Sequence, residues 1–357
     1  MQQKVRAMTG LPEAGGGLQP GERLPPCVGM STDFQPFSFE IQAGRPALMI
    51  LAHDLAAGAL CAGLAGAAAA CAARGADLLL LGTEDVVRAL PADAPVRAVD
   101  CGAGFLARLG VVAGTAMLLV VDRAQRVARC AALAGQAPVP AELIDEALAA
   151  IDDLPAEPER LVRAPAPVLV LANLLSPWMC RTLVARLADG ATMDGEVAGI
   201  DADGAPVSRV DHARKSRRDM PFAADDPLQH ELRRALLARC APEMARAFQV
   251  RITHTDRLLL ARYEAGSGWF RRHRDTNAQN IAFREFALSV CLDAGAFEGG
   301  AVLFPEYNDH RHAVPTGAGL IFSAALLHEV MPVTRGARQV LLTFLHGDAS
   351  EQRRLAA

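Results

Sequence analysis

Aromatic residues are few in this chain of 357: two Trp, two Tyr and thirteen Phe, 5% of the total. Beside abundant Ala, Leu, Val and Arg, the shortage says more about genome composition than about function. Neither sign of charge is in marked excess, and a net charge of −4 removes any global electrostatic case for a nucleic-acid partner. Apolar runs are short, and none reaches the length that a membrane-spanning helix requires. The opening Met1–Ala7 lacks the basic-then-apolar plan of a secretory signal. The eight cysteines (Cys27, Cys61, Cys71, Cys101, Cys130, Cys180, Cys240 and Cys291) show neither C-x-x-C spacing nor a compact disulfide framework. The expectation is a cytoplasmic protein without a membrane or nucleic-acid partner, its thiols mostly reduced and buried as small hydrophobes.

A length of 357 argues for about two domains with room for sizeable cores. Residues 1–20 are Gly-rich, without periodicity, and read as a loose tail. From 21 to 135 short apolar runs alternate with helical stretches: Ala47–Ala52, Asp77–Gly82 and Ala116–Asp122 suit buried strands, and Leu55–Arg74 suits a helix closed by Gly75. Continuous buried strands separated by helices imply an α/β layer with a parallel component. Residues 136–163 read as a linker, with Leu143, Ile144, Ala147, Leu148 and Ile151 at helical spacing before a Pro-rich joint. The second domain, 164–357, opens with a strand at Val168–Leu171 and a helix capped by Ser176, with Pro177 at its first position. Residues 192–222 read as a polar loop whose Arg209, Arg214, Lys215, Arg217 and Arg218 either stay solvated or meet an anionic or peptide substrate. Helices are expected over 228–238 and 243–248. From Ile252 the pattern turns to β, with strands at 258–263, 286–292, 301–304, 320–323 and 339–344 spaced for an all-β barrel.

The residues with chemistry lie in that β region. Side chains two apart on a strand share a side, so His273 and Asp275 can aim an imidazole and a carboxylate at one point. His328, just after the apolar run Leu320–Leu327, offers a second imidazole. Two His and one carboxylate on one face of a metal, with the other positions open, is the arrangement of non-haem Fe(II) oxygenases. The H-x-D pattern alone is weak, since it occurs three times, as His254/Asp256, His273/Asp275 and His346/Asp348. Context selects the middle pair, which follows a Gly-containing turn and is trailed by a distal His and a cation.

The segment contains Tyr263-x-x-Gly266, His273/Asp275, Phe297-Glu298-Gly299-Gly300, Leu303-Phe304-Pro305 and Gly317-x-Gly319-Leu320-Ile321-Phe322-Ser323. It ends with His328-x-Val330-x-Pro332-Val333-Thr334-x-Gly336-x-Arg338. In this it resembles the 2-oxoglutarate/Fe(II) dioxygenases of the prolyl 4-hydroxylase type, most closely the bacterial PKHD-type hydroxylases. The match spans roughly residues 165–347. The resemblance implies a double-stranded β-helix, a jelly-roll relative, with iron at one open end and His273, Asp275 and His328 as its ligands. It implies that Arg338 grips the far carboxylate of 2-oxoglutarate, a role that suits arginine's planar fork; Arg335, in the preceding turn, is expected in solvent. Tyr263 matches a pocket tyrosine of relatives, and Thr343 would compensate for a second tyrosine that Cys291 replaces. The implied reaction consumes 2-oxoglutarate and O2, hydroxylates an unactivated C–H of a protein side chain, an amino acid or a small molecule, and releases succinate and CO2. Ascorbate is a candidate reductant. A carboxylate at 275 leaves no ligand position vacant for halide, which argues against a halogenase.

The first domain resembles a thioredoxin-like redoxin of the peroxiredoxin type. Gly21–Pro26 looks like its entry segment, and Val120–Val127 like its late hairpin. Cys61 falls where that family places its peroxidatic cysteine, at a helix's first turn, whose positive end would favour a thiolate. Asp54, Gly58 and Ala116 stand where the family has Pro, Thr and Arg; an added carboxylate and a missing cation raise a thiol pKa. The expectation is a degenerate domain that serves structure or docking. Three readings follow: a hydroxylase, a thiol peroxidase centred on Cys61, and a non-catalytic sensing module on a metal-competent barrel. The ligand set together with Arg338 favours the first.

Overall fold

The computed structural model describes residues 18–32, 34–54, 64–133, 138–155, 161–200 and 206–356, and the chain divides into two compact units, Met1–Glu157 and Pro158–Ala357. Cys61 and most of the expected N-terminal tail lie outside the described residues.

In the first unit, β1 (Val28–Ser31), β2 (Pro36–Ser38), β3 (Ala47–Ala52), β4 (Asp77–Gly82), β5 (Arg97–Asp100), β6 (Ala116–Val121) and β7 (Val127–Leu133) form one sheet, ordered β2-β1-β5-β4-β3-β6-β7. β3, β4 and β5 are parallel neighbours, while β6 pairs antiparallel with β3 and β7. Parallel neighbours need crossovers, supplied by α1 (Leu64–Ala73) and α2 (Glu84–Arg88); α3 (Ala103–Arg108) follows β5. Gly75, at φ +63°, takes the left-handed turn that ends α1. Alternation along the strands divides the core. Leu48, Ile50, Leu78 and Leu80 face one side, while Met49, Leu51, Leu79 and Leu81 meet Phe37, Phe39 and Phe105 on the other. A sheet covered on both faces explains why its strands read as unbroken apolar runs.

The helix expected as a linker is part of this unit. α4 (Ala141–Asp152) buries Ile144, Ala147, Leu148 and Ile151 in the same cluster as Leu48 and Leu80, and Arg74 bridges to Asp152 at 2.8 Å. An amphipathic stripe needs an apolar partner, and the sheet face beside α1 supplies one.

The second unit begins with β8 (Val168–Leu171) and α5 (Pro177–Asp189), whose Ser176 cap accepts from the Met179 N–H at 3.1 Å. β9 (Met193–Asp194), β10 (Glu196–Ile200), β11 (Pro206–Val210), β12 (Lys215–Ser216) and β13 (Arg218–Pro221) then lead to α6 (Pro227–Phe248). The rest is β14 (His254–Thr255), β15 (Leu259–Glu264), β16 (Trp269–His273), β17 (Phe286–Cys291), β18 (Phe297–Gly299), β19 (Val302–Leu303), β20 (Gly319–Ser323), β21 (His328–Val330), β22 (Val333–His346) and the terminal α7 (Asp348–Ala356). A nine-stranded sheet runs β8-β20-β17-β22-β15-β13-β9, with β14 and β18 also paired to β22; a smaller one runs β12-β16-β21-β19. All these pairings are antiparallel.

Alternation on β22 sorts the two sides of the large sheet. Leu341 and Leu345 pack with Leu183, Leu187, Leu232 and Leu236 of α5 and α6, whereas Val340 and Phe344 belong to inner clusters shared with Val330 and Val302 of the small sheet.

Two expectations need correction. The described residues of the 192–222 stretch, 192–200 and 206–222, are not a polar loop: they carry β9 to β13, and among them Lys215 and Arg217 are buried. The two helices expected over 228–248 are the single α6, with Pro242 inside it. Proline forgoes one backbone hydrogen bond, but Leu236, Cys240 and Met244, all buried, hold the helix to the core through that position. Among the described residues no helix is long and apolar enough to cross a membrane.

Candidate metal centre

β16 ends at His273, β21 begins at His328, and these two residues are paired across the small sheet. The register slips by one between Phe270 and His273, a bulge of the kind that re-aims a side chain beside a site. Asp275 is not on the strand but in the turn just beyond it, where its N–H donates to the Ala324 carbonyl at 2.9 Å. His273 Nε2 lies 3.6 Å from Asp275 Oδ1, and His328 Nε2 lies 3.5 Å from Oδ2. One donor atom from each of the three falls within 4.8 Å of the others, and no other trio of His, Cys, Asp or Glu among the described residues does so.

The surroundings hold these atoms in place. The Nδ1–H of His273 donates to the Arg271 carbonyl at 2.7 Å, and that of His328 to the Leu326 carbonyl at 3.0 Å. Each ring is thereby kept in the tautomer whose Nε2 lone pair is free. Phe270 stacks on His273 with centroids 3.4 Å apart, and Phe322 meets His328 edge-on at 4.6 Å. Arg274 bridges to Glu306 at 2.7 Å, and the second Glu306 oxygen accepts from the Leu327 N–H at 2.9 Å. That pair ties the Asp275 turn to the residue before His328.

Protonation suits the geometry. Burial, partly opposed by Asp275, pushes His328 down to about 4, so it is neutral at ordinary pH. Burial alone would raise Asp275, but its neighbours His273, His328 and Arg284 bring it down to about 2. Two imidazoles and one carboxylate, convergent and little exposed, fit a divalent first-row metal.

A pocket between the two sheets opens onto the triad and is bordered by Arg217, Arg257, Tyr263, Ser289 and Arg338 as well. Arg338 is 7% exposed; its Nη2 donates to Ser289 Oγ at 3.3 Å and its guanidinium lies 5.2 Å from the Tyr263 ring centre. Gly300, at φ +64°, lets that side chain pass, since a Cβ there would stand 2.7 Å from Arg338 Cδ. Arg217 is already paired, donating to both Asp219 oxygens at 2.5 and 3.0 Å and to the Tyr263 hydroxyl at 3.0 Å. Lys215 donates to the Glu196 carbonyl at 2.6 Å and lies 3.4 Å from Asp219.

Other expected site residues fall differently. Arg335 lies on β22 rather than in a turn, yet it is exposed and pairs with Glu298 at 2.7 Å. Thr343 borders the pocket, but alternation turns its side chain with Leu341 and Leu345 toward the helices, and its hydroxyl has only a 3.5 Å contact to the Phe344 carbonyl. The hydroxyl that meets Arg338 is that of Ser289, which the sequence reading missed. Lys215, Arg217 and Asp219 carried a usable signal, being spaced two apart on what proves to be one face of an extended segment.

Residues 258–346 match the family model of the 2OG-Fe(II) oxygenase superfamily. The C-terminal unit is therefore a 2-oxoglutarate- and Fe(II)-dependent oxygenase of the hydroxylase kind. Within that class it is similar to a PKHD-type hydroxylase of Methylobacterium nodulans, 28% identical over 174 residues that make up 46% of this chain and 72% of the relative. Among solved structures, a prolyl hydroxylase from Trichoplax adhaerens overlaps 54% of this chain and 87% of its own, at 16% identity and a TM-score of 0.41. A thioredoxin domain of a thiol-disulfide oxidoreductase from Bacteroides vulgatus overlaps 32% of this chain and 89% of its own, at 17% identity and a TM-score of 0.28.

Proposed function

We propose that the second unit hydroxylates an unactivated C–H bond of a protein side chain, an amino acid or a small molecule, with His273, Asp275 and His328 as Fe(II) ligands and Arg338 as the seat of the far carboxylate of 2-oxoglutarate. The reaction takes R–H, O2 and 2-oxoglutarate to R–OH, succinate and CO2. One observation carries the assignment. Arg338 is a buried cation on the pocket wall with no carboxylate paired to it among the described residues, whereas its neighbour Arg217 is bridged to Asp219. An unpaired buried charge is costly, and a guanidinium fork matches a carboxylate. Tyr263 and Ser289 complete the polar lining at that end.

Bound Fe(II) supplies the O2 chemistry; orientation and exclusion of water are the work of the protein. His273 and His328 would hold the metal through their fixed Nε2 lone pairs, and Asp275 would add one negative charge. Phe270, Phe322 and Val330 line the pocket and keep its walls apolar. Ascorbate is the reductant we assign to keeping the metal ferrous.

We read the two sheets of the second unit as a double-stranded β-helix, and the first unit as thioredoxin-like, a reading that the parallel β3-β4-β5 core beside antiparallel β6 and β7 supports. The redoxin-like region then runs over 21–135 with α4 added, and the oxygenase domain over 164–357. The role of the redoxin-like region is structural or docking, in a cytoplasmic enzyme with no nucleic-acid or membrane partner. Purified protein given Fe(II), 2-oxoglutarate and O2 should release succinate and CO2, and mass spectrometry of a treated cell extract should find a product one oxygen heavier. Failure to bind Fe(II), or turnover that survives loss of both His273 and His328, would sink the reading.

A further inference from the structure

The pocket has a second cation without a carboxylate. Arg257, between β14 and β15, is exposed and borders the same pocket as His273 and Arg338. The charges that act on it are Arg284, Arg217, Asp219 and Asp256. Both carboxylates are engaged elsewhere: Asp256 bridges to Arg284 at 2.7 Å, and Asp219 to Arg217 at 2.5 Å and Lys215 at 3.4 Å. Among the described residues none hydrogen-bonds or ion-pairs with Arg257.

Strand register fixes its level in the barrel. The Asp256 N–H donates to the Phe344 carbonyl at 2.9 Å, so Arg257 stands beside that point of β22. Asp275 is linked to the same level through Ala324, Glu285 and Leu345, by N–H···O bonds of 2.9, 2.9 and 3.3 Å. Arg338 is six residues back along β22, roughly 20 Å at the rise of an extended strand. The triad and Arg257 therefore share one end, and Arg338 lies toward the other.

We propose that Arg257 receives a carboxylate of the substrate, so that the enzyme acts on an acid: a free amino acid through its α-carboxylate, or a polypeptide through an Asp or Glu side chain near the hydroxylated carbon. This rests on the assignment of Arg338 to 2-oxoglutarate. The two carboxylates of that cosubstrate are then matched by the metal and by Arg338, which leaves none for Arg257. A cationic substrate would meet like charge at this end, and a neutral one would leave the guanidinium unmatched.

Paired probes test it. The full chain with Fe(II) and 2-oxoglutarate is given the free amino acids and, separately, their amides. A second arm uses end-blocked peptides carrying Asp or Glu and their Asn or Gln counterparts. Incorporation of 18O from 18O2 is the readout, and the two arms separate the two sources of carboxylate. Hydroxylation should be confined to acid members, and Arg257→Gln should raise KM for them roughly 10- to 100-fold, the loss expected for a charge-assisted hydrogen bond. Arg257→Glu should shift the preference to the amide. Equal turnover of acid and amide, no turnover of any acid probe, or KM within about twofold in Arg257→Gln would each overturn the assignment. Succinate formed without a probe is measured in parallel. Absence of succinate from every reaction, with and without a probe, would overturn the oxygenase reading and this one with it, whereas its presence without acid preference counts against Arg257 alone.

Discussion

Two corners of the second unit carry the same H-x-D pattern and use it differently. At one, His254 and His346 are paired across β14 and β22 with rings stacked at 5.5 Å. There His346 Nε2 meets Glu351 at 2.7 Å, His254 Nδ1 meets the Thr253 hydroxyl at 2.8 Å, and that hydroxyl donates to Asp348 at 2.7 Å. Asp256 is held by Arg284. Every carboxylate in this corner has a structural partner. At the other, the Asp275 oxygens face two imidazoles whose Nε2 atoms are free, because a backbone carbonyl has taken each Nδ1–H. What separates a ligand set from a packing cluster is therefore not the spacing of two residues. It is a strand pairing that brings in a distant His, and a carboxylate left uncommitted.

The largest effect tests that contrast directly. His273→Ala or His328→Ala should abolish Fe(II) binding and metal-dependent 2-oxoglutarate turnover, because each removes one of the three ligands we propose. His254→Ala, at a half-exposed side chain, should leave turnover near wild type and stability within about 0.5 kcal/mol. Metal analysis and succinate release on the same preparations check both. If the His254 variant lost metal while the triad variants kept it, the two corners would have to be exchanged.

Next in size is the pair of arginines on β22. Arg338→Ala should raise KM for 2-oxoglutarate well over tenfold, since loss of a buried charge pair costs about 2–5 kcal/mol. Fe(II) affinity should change little. Arg335→Ala removes only an exposed bridge to Glu298, of a kind worth about 0–1 kcal/mol, and should behave like wild type. Equal shifts in the two variants would mean that the cosubstrate does not lie along the Arg338 face.

Smaller in consequence, and on stability alone, is His346→Ala. The side chain is 1% exposed and bonded to Glu351, so its removal loses a charge-assisted hydrogen bond and leaves a void, together about 2–3 kcal/mol. Denaturant midpoints should fall while metal content and KM stay put. A drop in metal content at unchanged stability would blur the distinction between the corners.

Much of this was legible from residue order. Ser176-Pro177 announced α5, unbroken apolar runs announced the doubly covered sheet, and His273, Asp275 and His328 stood out by context. What escaped were features set through space. Thr343 and Ser289 are both hydroxyls near Arg338 in sequence or pairing, and only the register Ser289↔Leu342 turns Ser289 inward with the Arg338 face. α4 looked like a linker because its apolar stripe named no partner. Lys215 and Arg217 looked solvated because long cations usually are, and their burial depends on Asp219 and on the Glu196 carbonyl.

Lys215 supplies the mildest test: its Nζ lies 5.2 Å from the centre of the Phe270 ring that stacks on His273. Burial, then the like charge of Arg217, pull its pKa from 10.5 down to about 7, although Asp219 acts the other way. The unfolded chain therefore binds this proton more tightly than the folded one. Stability from the group is complete above the unfolded value and drains away as pH falls toward 7. Between pH 7 and 9 the wild type should gain about 1–2 kcal/mol relative to Lys215→Met, whose unbranched side chain fills similar space without titrating. Near pH 7 the variant should be about as stable as wild type, since exchanging a buried cation for an apolar side chain is often neutral, and Arg217 still holds Asp219. Urea denaturation of both proteins across that range measures the difference. Parallel curves would show that Lys215 stays charged, and that Asp219 and the Glu196 carbonyl outweigh its burial.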